Sequence, residues 1–219
     1  MHPRLARIPT PLSYRISTGF LTSENFNRSR NDFVDDLVRS ARSGVSMLQI
    51  REKRLPSSMI FDLVSEVIRR LENLGTLCLV NERVDIALAA GADGVHLTST
   101  SMPLELVRGI AGQKLLIGVS AHSVKEVSSA RDDGADFALF GPVFETPSKS
   151  PEIGWQGLGA LGEACEAGSP MPVLAVGGVD PMNFKSVLAA GAYGIAAIRL
   201  FADPVCEKEI VGSCEVRLS

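Results

Sequence analysis

The sequence predicts a single (β/α)8 barrel, and three observations lead there. Short apolar runs alternate with longer amphipathic ones along all 219 residues, the pattern of βα units wound around a parallel sheet. One junction recurs: AAGADGVHL ending at Leu97, DDGADFALF ending at Phe140 and AAGAYGIAAI ending at Ile198 each pass from a helix end through glycine into a strand. Repetition of one α-to-β junction is what successive βα units produce. Finally, the chain holds eight strand candidates, and no GxGxxG follows the first of them, YRISTGF; an open doubly wound sheet needs fewer strands and usually carries that loop.

In chain order, YRIST (14–18) opens the barrel and NDFVDDLVRSARSG (31–44) reads as the first helix, with apolar residues three and four apart. SMLQIR (46–51) is the second strand. The helix over SSMIFDLVSEVIRRLENLG (57–75) places Ile60, Leu63, Val64, Val67, Ile68 and Leu71 in one stripe, with Arg69, Arg70 and Glu72 away from it. Ser57 is its expected cap and Gly75 its left-handed closing residue. TLCLV (76–80), GVHL (94–97), LLIGVS (115–120), DFALFG (136–141), PVLAVGG (172–178) and YGIAAIR (193–199) supply the remaining strands, with a helix over DPMNFKSVLAAG (180–191) before the last. The whole chain, 1–219, reads as one domain: a barrel over about 13–201, a short amino-terminal extension, and a polar tail that is short for a barrel-closing helix.

With 45% apolar and 21% charged residues, the chain can build a core without staples. A net charge of −3 and the lack of any long basic run argue against nucleic-acid or membrane partners and leave small-molecule chemistry. None of Cys78, Cys165, Cys206 and Cys214 falls in a CxxC or CxxH spacing, which argues against zinc. Cys78, inside LCLV, reads as a buried thiol. Only Cys206 and Cys214 lie close enough to suggest a bridge, and a reduced tail is the favoured reading. The amino terminus lacks the apolar core of a signal peptide and no stretch would span a bilayer, so a cytoplasmic protein is expected. Homo-oligomerisation stays open.

In such a barrel, function gathers where strands end and helices begin. Those junctions carry Gln49, Arg51, Glu52 and Lys53 after strand 2, Asn81 and Glu82 after strand 3, and His96, Thr98 and Ser99 at strand 4. Strand 5 adds Ser120 and His122, strand 6 leads into Thr146, Ser148 and Lys149, strand 7 ends in Gly177-Gly178, and strand 8 in Ile198 and Arg199. The opposite ends show mostly glycine, alanine and helix-terminal charges. Two glycines let backbone N–H groups approach an anion, and the next helix start adds its dipole. Lys149 would add a point charge and Thr146 and Ser148 hydroxyl donors. Alone, the glycine pair reads equally as a tight turn and Lys149 as a solvated lysine; taken with their location they read as a phosphate cradle. His122 suits either helix capping or acid–base work. His96, within an apolar run, reads as buried and hydrogen-bonded. Trp155, in GWQGLGAL, reads as core or as a substrate platform on a lid or helix lead-in.

LQIREK, VNERVDIALAAGADGVHL, IGVSAHS, FGPVFETPSK, PVLAVGGVDPMN and GAYGIAAI resemble, in order and spacing, the thiamine phosphate synthase/TenI family. The resemblance implies a (β/α)8 barrel handling phosphorylated thiazole and pyrimidine intermediates of thiamine biosynthesis. Synthases join a hydroxymethylpyrimidine diphosphate to a thiazole phosphate with Mg²⁺ and release pyrophosphate; TenI-type members aromatise a thiazole phosphate tautomer without metal. Where synthases usually carry two metal-assisting aspartates, this chain has Glu82 and Ser101. Thr146, Ser148 and Lys149 match the family's phosphate loop, Gln49, Arg51 and Lys53 its substrate-contacting strand-2 motif, and His122 the histidine of the tautomerases. Arg199 stands where a small serine is usual, and would either clamp the phosphate or fill part of the pocket.

The lost carboxylate puts a TenI-like tautomerase first. His122 would be its acid/base, Glu52 a second proton carrier, and Gly177, Gly178, Thr146, Ser148, Lys149 and Arg199 its phosphate site, with no cofactor. The alternatives are a synthase using Glu82 and substrate phosphates around Mg²⁺, and a catalytically silent binding or regulatory homologue.

Overall fold

A computed structural model describes residues 2–146 and 154–215. Eight parallel strands, each paired with its sequence neighbour, close into a barrel: β1 (Leu12–Ile16), β2 (Met47–Ile50), β3 (Leu77–Asn81), β4 (Gly94–Leu97), β5 (Leu116–Ala121), β6 (Phe137–Phe140), β7 (Val173–Val176) and β8 (Gly194–Ala197). Closure is direct, with Leu12 of β1 in register with Gly194 of β8. The helices between them are α1 (Phe26–Arg42), α2 (Ser57–Leu71), α3 (Val84–Ala90), α4 (Leu104–Ala111), α5 (Val124–Asp132), α6 (Gly157–Gly168) and α7 (Phe184–Ala189), and α8 (Pro204–Glu215) follows β8.

The strands are buried on both faces, so their sequences are mostly apolar, and the period of two sorts residues between two cores. Met47 joins an inner core with Tyr14, Leu79, Phe137 and Leu174, while Leu48 and Ile50 face an outer core shared with the helices. Aromatic rings fill the inside: Tyr14 meets Phe137 edge-on at 5.7 Å between centroids, and His96 lies 6.2 Å from Tyr14. They fit because Gly118 leaves the room. A Cβ there would sit 2.1 Å from the Phe137 ring. The amino-terminal extension adds to this core through Leu5, which is fully buried. The barrel is thus a packed plug rather than a pore.

Several local expectations change. Helix α1 starts at Phe26, before the stretch assigned from the pattern. Ser57 is not a cap: Pro56 precedes the helix, and the Ser57 hydroxyl accepts from Arg83 Nη1 at 2.7 Å. Gly75 is left-handed at φ +75°, but α2 has already ended at Leu71. The tail, which reads as short and polar for a barrel-closing helix, forms α8, where Ile210 and Val211 supply a buried apolar edge and the buried acid Glu207 is paired. Glu207, fully buried, accepts from Arg39 Nη1 at 2.8 Å and from Ser40 Oγ, and lies 3.7 Å from Arg15 Nη1. Cys206 is a free thiol.

Removing one member of a buried ion network leaves the others uncompensated and costs about 3–5 kcal/mol. Glu207→Gln is therefore expected to lower the unfolding free energy by about that much in urea titrations. A loss below about 1 kcal/mol, the scale of a surface pair, would show that α8 is not held this way.

Candidate active site at the carboxyl rim

Above the aromatic plug, the carboxyl ends of the strands surround a cavity of about 360 Å³, within the roughly 300–1,000 Å³ usual for small-molecule sites. Inward positions continue the period of two from the core, so Ile16, Leu139, Val176 and Ile198 give it apolar walls. Of the residues singled out from the sequence, Gln49, Arg51, Lys53, Asn81, Ser120, His122, Thr146, Gly177, Gly178, Ile198 and Arg199 all line this one space. Ser148 and Lys149 lie outside the described residues. Among the described residues, three cations and no carboxylate line the cavity, although the chain carries a net charge of −3.

The two acids of the rim are turned to other work. Glu52, read from the sequence as a proton carrier, does not line the cavity. It is buried and accepts from Ser17 Oγ at 2.7 Å, Gly19 N at 3.0 Å and Leu21 N at 2.8 Å. Those three bonds spend its lone pairs on tying the β1–α1 loop to the end of β2, which is the correction to the expected role. Glu82 borders the cavity through its partners. Its Oε1 accepts from Thr98 Oγ1 at 2.6 Å and Ser101 Oγ at 2.9 Å, while Oε2 accepts from Asn81 Nδ2 at 2.8 Å and lies 3.5 Å from Lys53 Nζ. Partial burial opposes its ionisation. The Thr98 and Ser101 hydroxyls, the Lys53 charge and Asn81 outweigh that and hold it at about 2. Ser101 is thus a donor to the carboxylate, a role that its neutrality in the sequence did not suggest. Glu82 also holds a left-handed backbone, φ +59°, uncommon for a side chain of its size.

The glycine pair is required by its neighbours. The chain leaving β6 lies along β7, with Val143 N donating to Val176 O and Phe144 N to Gly177 O, both at 3.0 Å. Gly177 and Gly178 have φ of +93° and +68°, and a Cβ on either would come within 2.6 Å of Pro142 or of Glu145 and Phe144. The close turn and the approachable backbone are one feature. The expected helix dipole is not part of it: α7 begins only at Phe184, after a turn in which Asp180 Oδ1 accepts from Met182 N and Asn183 N.

His122 does not cap α5. Ser123 does, accepting from Glu126 N at 3.2 Å, while Glu126 accepts from His122 N at 2.7 Å. His122 Nδ1 bonds Gly141 O; a carbonyl only accepts, so Nδ1 is the donor of this bond. His96 is buried, meets Ser120 Oγ at 2.9 Å and also lines the cavity floor. Burial, offset in part by Glu82 and reinforced by Arg51, pushes it down to about 3, so the ring is neutral. Trp155 is not core: it is 62% exposed, and it is not among the residues that line the cavity.

A (β/α)8 barrel with an apolar-walled, cation-lined cavity at its carboxyl rim belongs to the class of barrels built to hold small anionic molecules. Comparison narrows the class. The family model for thiamine monophosphate synthase matches residues 19–201, and the chain belongs to that family. A putative thiamine-phosphate synthase of Geobacter sulfurreducens is 39% identical over 189 residues, covering 84% of this chain and 87% of the relative. The thiamine-phosphate synthase of Clostridium novyi is 38% identical over 180 residues, covering 81% and 86%. The solved structure of thiamine phosphate pyrophosphorylase from Pyrococcus furiosus superposes with a TM-score of 0.79 at 28% identity, covering 95% of this chain and 98% of that one.

The Glu82 arrangement carries a pH signature. A carboxyl lowered from 4.5 to about 2 on folding adds stability that is fully present above the unfolded value and disappears as pH falls through the folded one. Glu82→Gln is expected to be less stable than the parent at pH 7, with the gap closing between about pH 5 and about pH 2. Urea midpoints measured across that range check it; a gap independent of pH would contradict the assignment.

Proposed function

We propose that this chain is a thiamine-phosphate synthase, joining a hydroxymethylpyrimidine diphosphate to a thiazole phosphate and releasing pyrophosphate. The observation that carries the reading is the cavity lined by Arg51, Lys53 and Arg199 with no carboxylate among the described residues, which suits two phosphorylated substrates. The sequence put tautomerisation first because Ser101 replaces an expected carboxylate. The relatives named above are synthases, and Ser101 itself helps keep Glu82 ionised, so the balance moves to the synthase.

In this transfer the thiazole nitrogen gives its lone pair to the pyrimidine methylene carbon, the carbon–oxygen bond to the diphosphate breaks, and the diphosphate leaves with that electron pair. The new nitrogen is quaternary and no proton has to move. The demand on the protein is to place two rings face to face and to meet the charge growing on the leaving group. Arg51 and Lys53, following β2, supply cationic donors where a diphosphate would lie, and Asn81 and Gln49, joined at 3.1 Å, set a fixed polar edge beside them. The apolar walls hold the rings, and the Gly177-Gly178 turn with Thr146 takes the monophosphate.

The oxygen donors present fit Mg²⁺, a hard ion often held by one or two carboxylates with the rest of its ligands from water and substrate phosphate. Glu82, ionised, and the Thr98 hydroxyl would hold it. Bound there with the diphosphate, the ion would neutralise charge on the leaving group.

Purified protein incubated with both substrates and Mg²⁺ is expected to yield thiamine phosphate and pyrophosphate, to stop with EDTA and to resume on added Mg²⁺. His122→Ala separates the two chemistries: loss of a proton-transfer group costs about 10²–10⁴-fold, a penalty expected for tautomerisation and not for this condensation. Metal-independent aromatisation of a thiazole phosphate, sensitive to His122, would reverse the assignment. Binding without turnover in either assay would mark a silent homologue.

A further inference from the structure

We infer that the amino-terminal end of the barrel carries a second small-molecule site, which takes an organic oxyanion on a body of about one ring; this goes beyond the synthase reading and does not depend on it. A cavity of about 350 Å³ opens there, close in volume to the rim cavity. It lies between the amino-terminal extension, the turns that lead into β2 and β3, and Val211 of α8. Ser13 and Ser46 line it at the starts of β1 and β2, whereas Ile16 and Gln49, further along the same strands, line the rim cavity. Three residues of strand, about 10 Å, and the packed core of Tyr14 and Met47 therefore separate the two spaces. Arg7, Thr10, Ser13 and Val211 also lie outside residues 19–201, the stretch that the family model matches.

Two kinds of donor in this lining are unspent. Arg7 closes the short 3-10 turn Leu5–Arg7, in which Leu5 is fully buried in the inner core, and the next residue, Ile8, packs against that core. The backbone is thus anchored on both sides of an exposed side chain, whose guanidinium makes no hydrogen bond or ion pair among the described residues. Deeper in, Ser13 and Ser46 face each other across the β1–β2 seam. Ser46 N donates to Ser13 Oγ at 3.0 Å, Ser13 N donates to Ser46 Oγ at 3.2 Å, and the two oxygens lie 3.2 Å apart. Two hydroxyls carry two protons. One is spent between the oxygens; the other has no protein acceptor among the described residues, although Ser13 is only 2% exposed. Buried donors are normally paired, so the serine pair calls for an acceptor from the cavity it lines. The walls are apolar, with Ile8, Pro11, Val45, Leu74 and Val211. Gly44 and Gly75, left-handed at φ +93° and +75°, leave the approach free of side chains. A guanidinium fork and a hydroxyl proton lining one space match a carboxylate or phosphate, which accepts from both. The apolar walls ask for a body attached to that group.

Amide chemical shifts of the nitrogen-labelled full chain, titrated separately with phenyl phosphate, benzoate and phenol, test this. At least one of the two anions is expected to shift the amides of Gly44, Ser46, Gly75 and Thr76, and the tighter of them shows whether the site takes a phosphate or a carboxylate. Phenol, with the same ring and no anion, is expected to bind at least about 10-fold more weakly, the scale of a lost charge-assisted hydrogen bond. Arg7→Ala, a change at an exposed side chain that leaves the core intact, should weaken the anion at these amides by a similar factor. The responses of Gly177 and Gly178 in the rim cavity should stay as in the parent, and Arg7→Lys should recover part of the binding, since it keeps the charge and loses the fork. No shift at the four amides with either anion overturns the inference. So does phenol binding as tightly as the anions, or an Arg7→Ala protein that binds them as the parent does. All of these outcomes are read without turnover, so the synthase reading stands or falls separately.

Discussion

The site depends on two carboxylates near the rim, Glu52 and Glu82, being held by hydrogen bonds so that neither lines the cavity. Glu52 and Glu82 follow the ends of β2 and β3, where their carboxylates would cancel the cations beside them. Each is instead occupied by neighbouring donors: Glu52, away from the cavity, by Ser17 and the Gly19 and Leu21 backbone, and Glu82, at its border, by Thr98, Ser101 and Asn81. Hydrogen bonds to a charged group contribute about 1.5–3 kcal/mol each, so releasing either acid into the cavity would forfeit several at once. The cationic lining among the described residues follows, and with it the proposed fit to phosphorylated ligands. The same bonds stitch the β1–α1 and β4–α4 loops to the rim, so shape and charge are fixed together.

Below the rim, packing keeps the floor rigid. Tyr14, Phe137 and the neutral ring of His96 fill the barrel interior, and Gly118 is the gap that admits Phe137. On the far wall, the loop leaving β6 runs so close to β7 that only glycine fits at 177 and 178. Close packing of that wall is the preorganisation that the proposed phosphate site needs. At the closing seam, the buried Glu207 network ties α8 to α1 and β1. That contact lies only eight residues beyond Arg199, so the tail steadies the edge of the site as well as the barrel.

The fold was legible because its two signals are periodic and strong. Apolar runs such as TLCLV and GVHL are buried on both faces, and the GAD and GAY junctions recur at helix-to-strand boundaries. Gathering of the rim residues followed from topology alone. What sequence could not supply was direction. Glu52 and Lys53 are adjacent, yet the carboxylate turns to donors of the β1–α1 loop and the ammonium to the cavity and Glu82, and nothing local says which one faces the ligand. Ser101 looked like a loss because its value lies in a hydrogen bond to a residue far back in the chain. The tail looked short and polar for a full barrel-closing helix because the partners of Glu207, namely Arg15, Arg39 and Ser40, are more than 160 residues away. Short-range propensity cannot see pairs of that kind.

The most direct test of the proposed division of the cavity into a monophosphate end and a diphosphate end is a crystal structure of the protein with thiamine phosphate and pyrophosphate bound together. The account predicts the monophosphate against Gly177, Gly178 and Arg199, and the pyrophosphate against Arg51 and Lys53, with both rings on the apolar walls between. Phosphorus density outside this cavity, or both ligands crowded at one end with the other cations facing solvent, would contradict it.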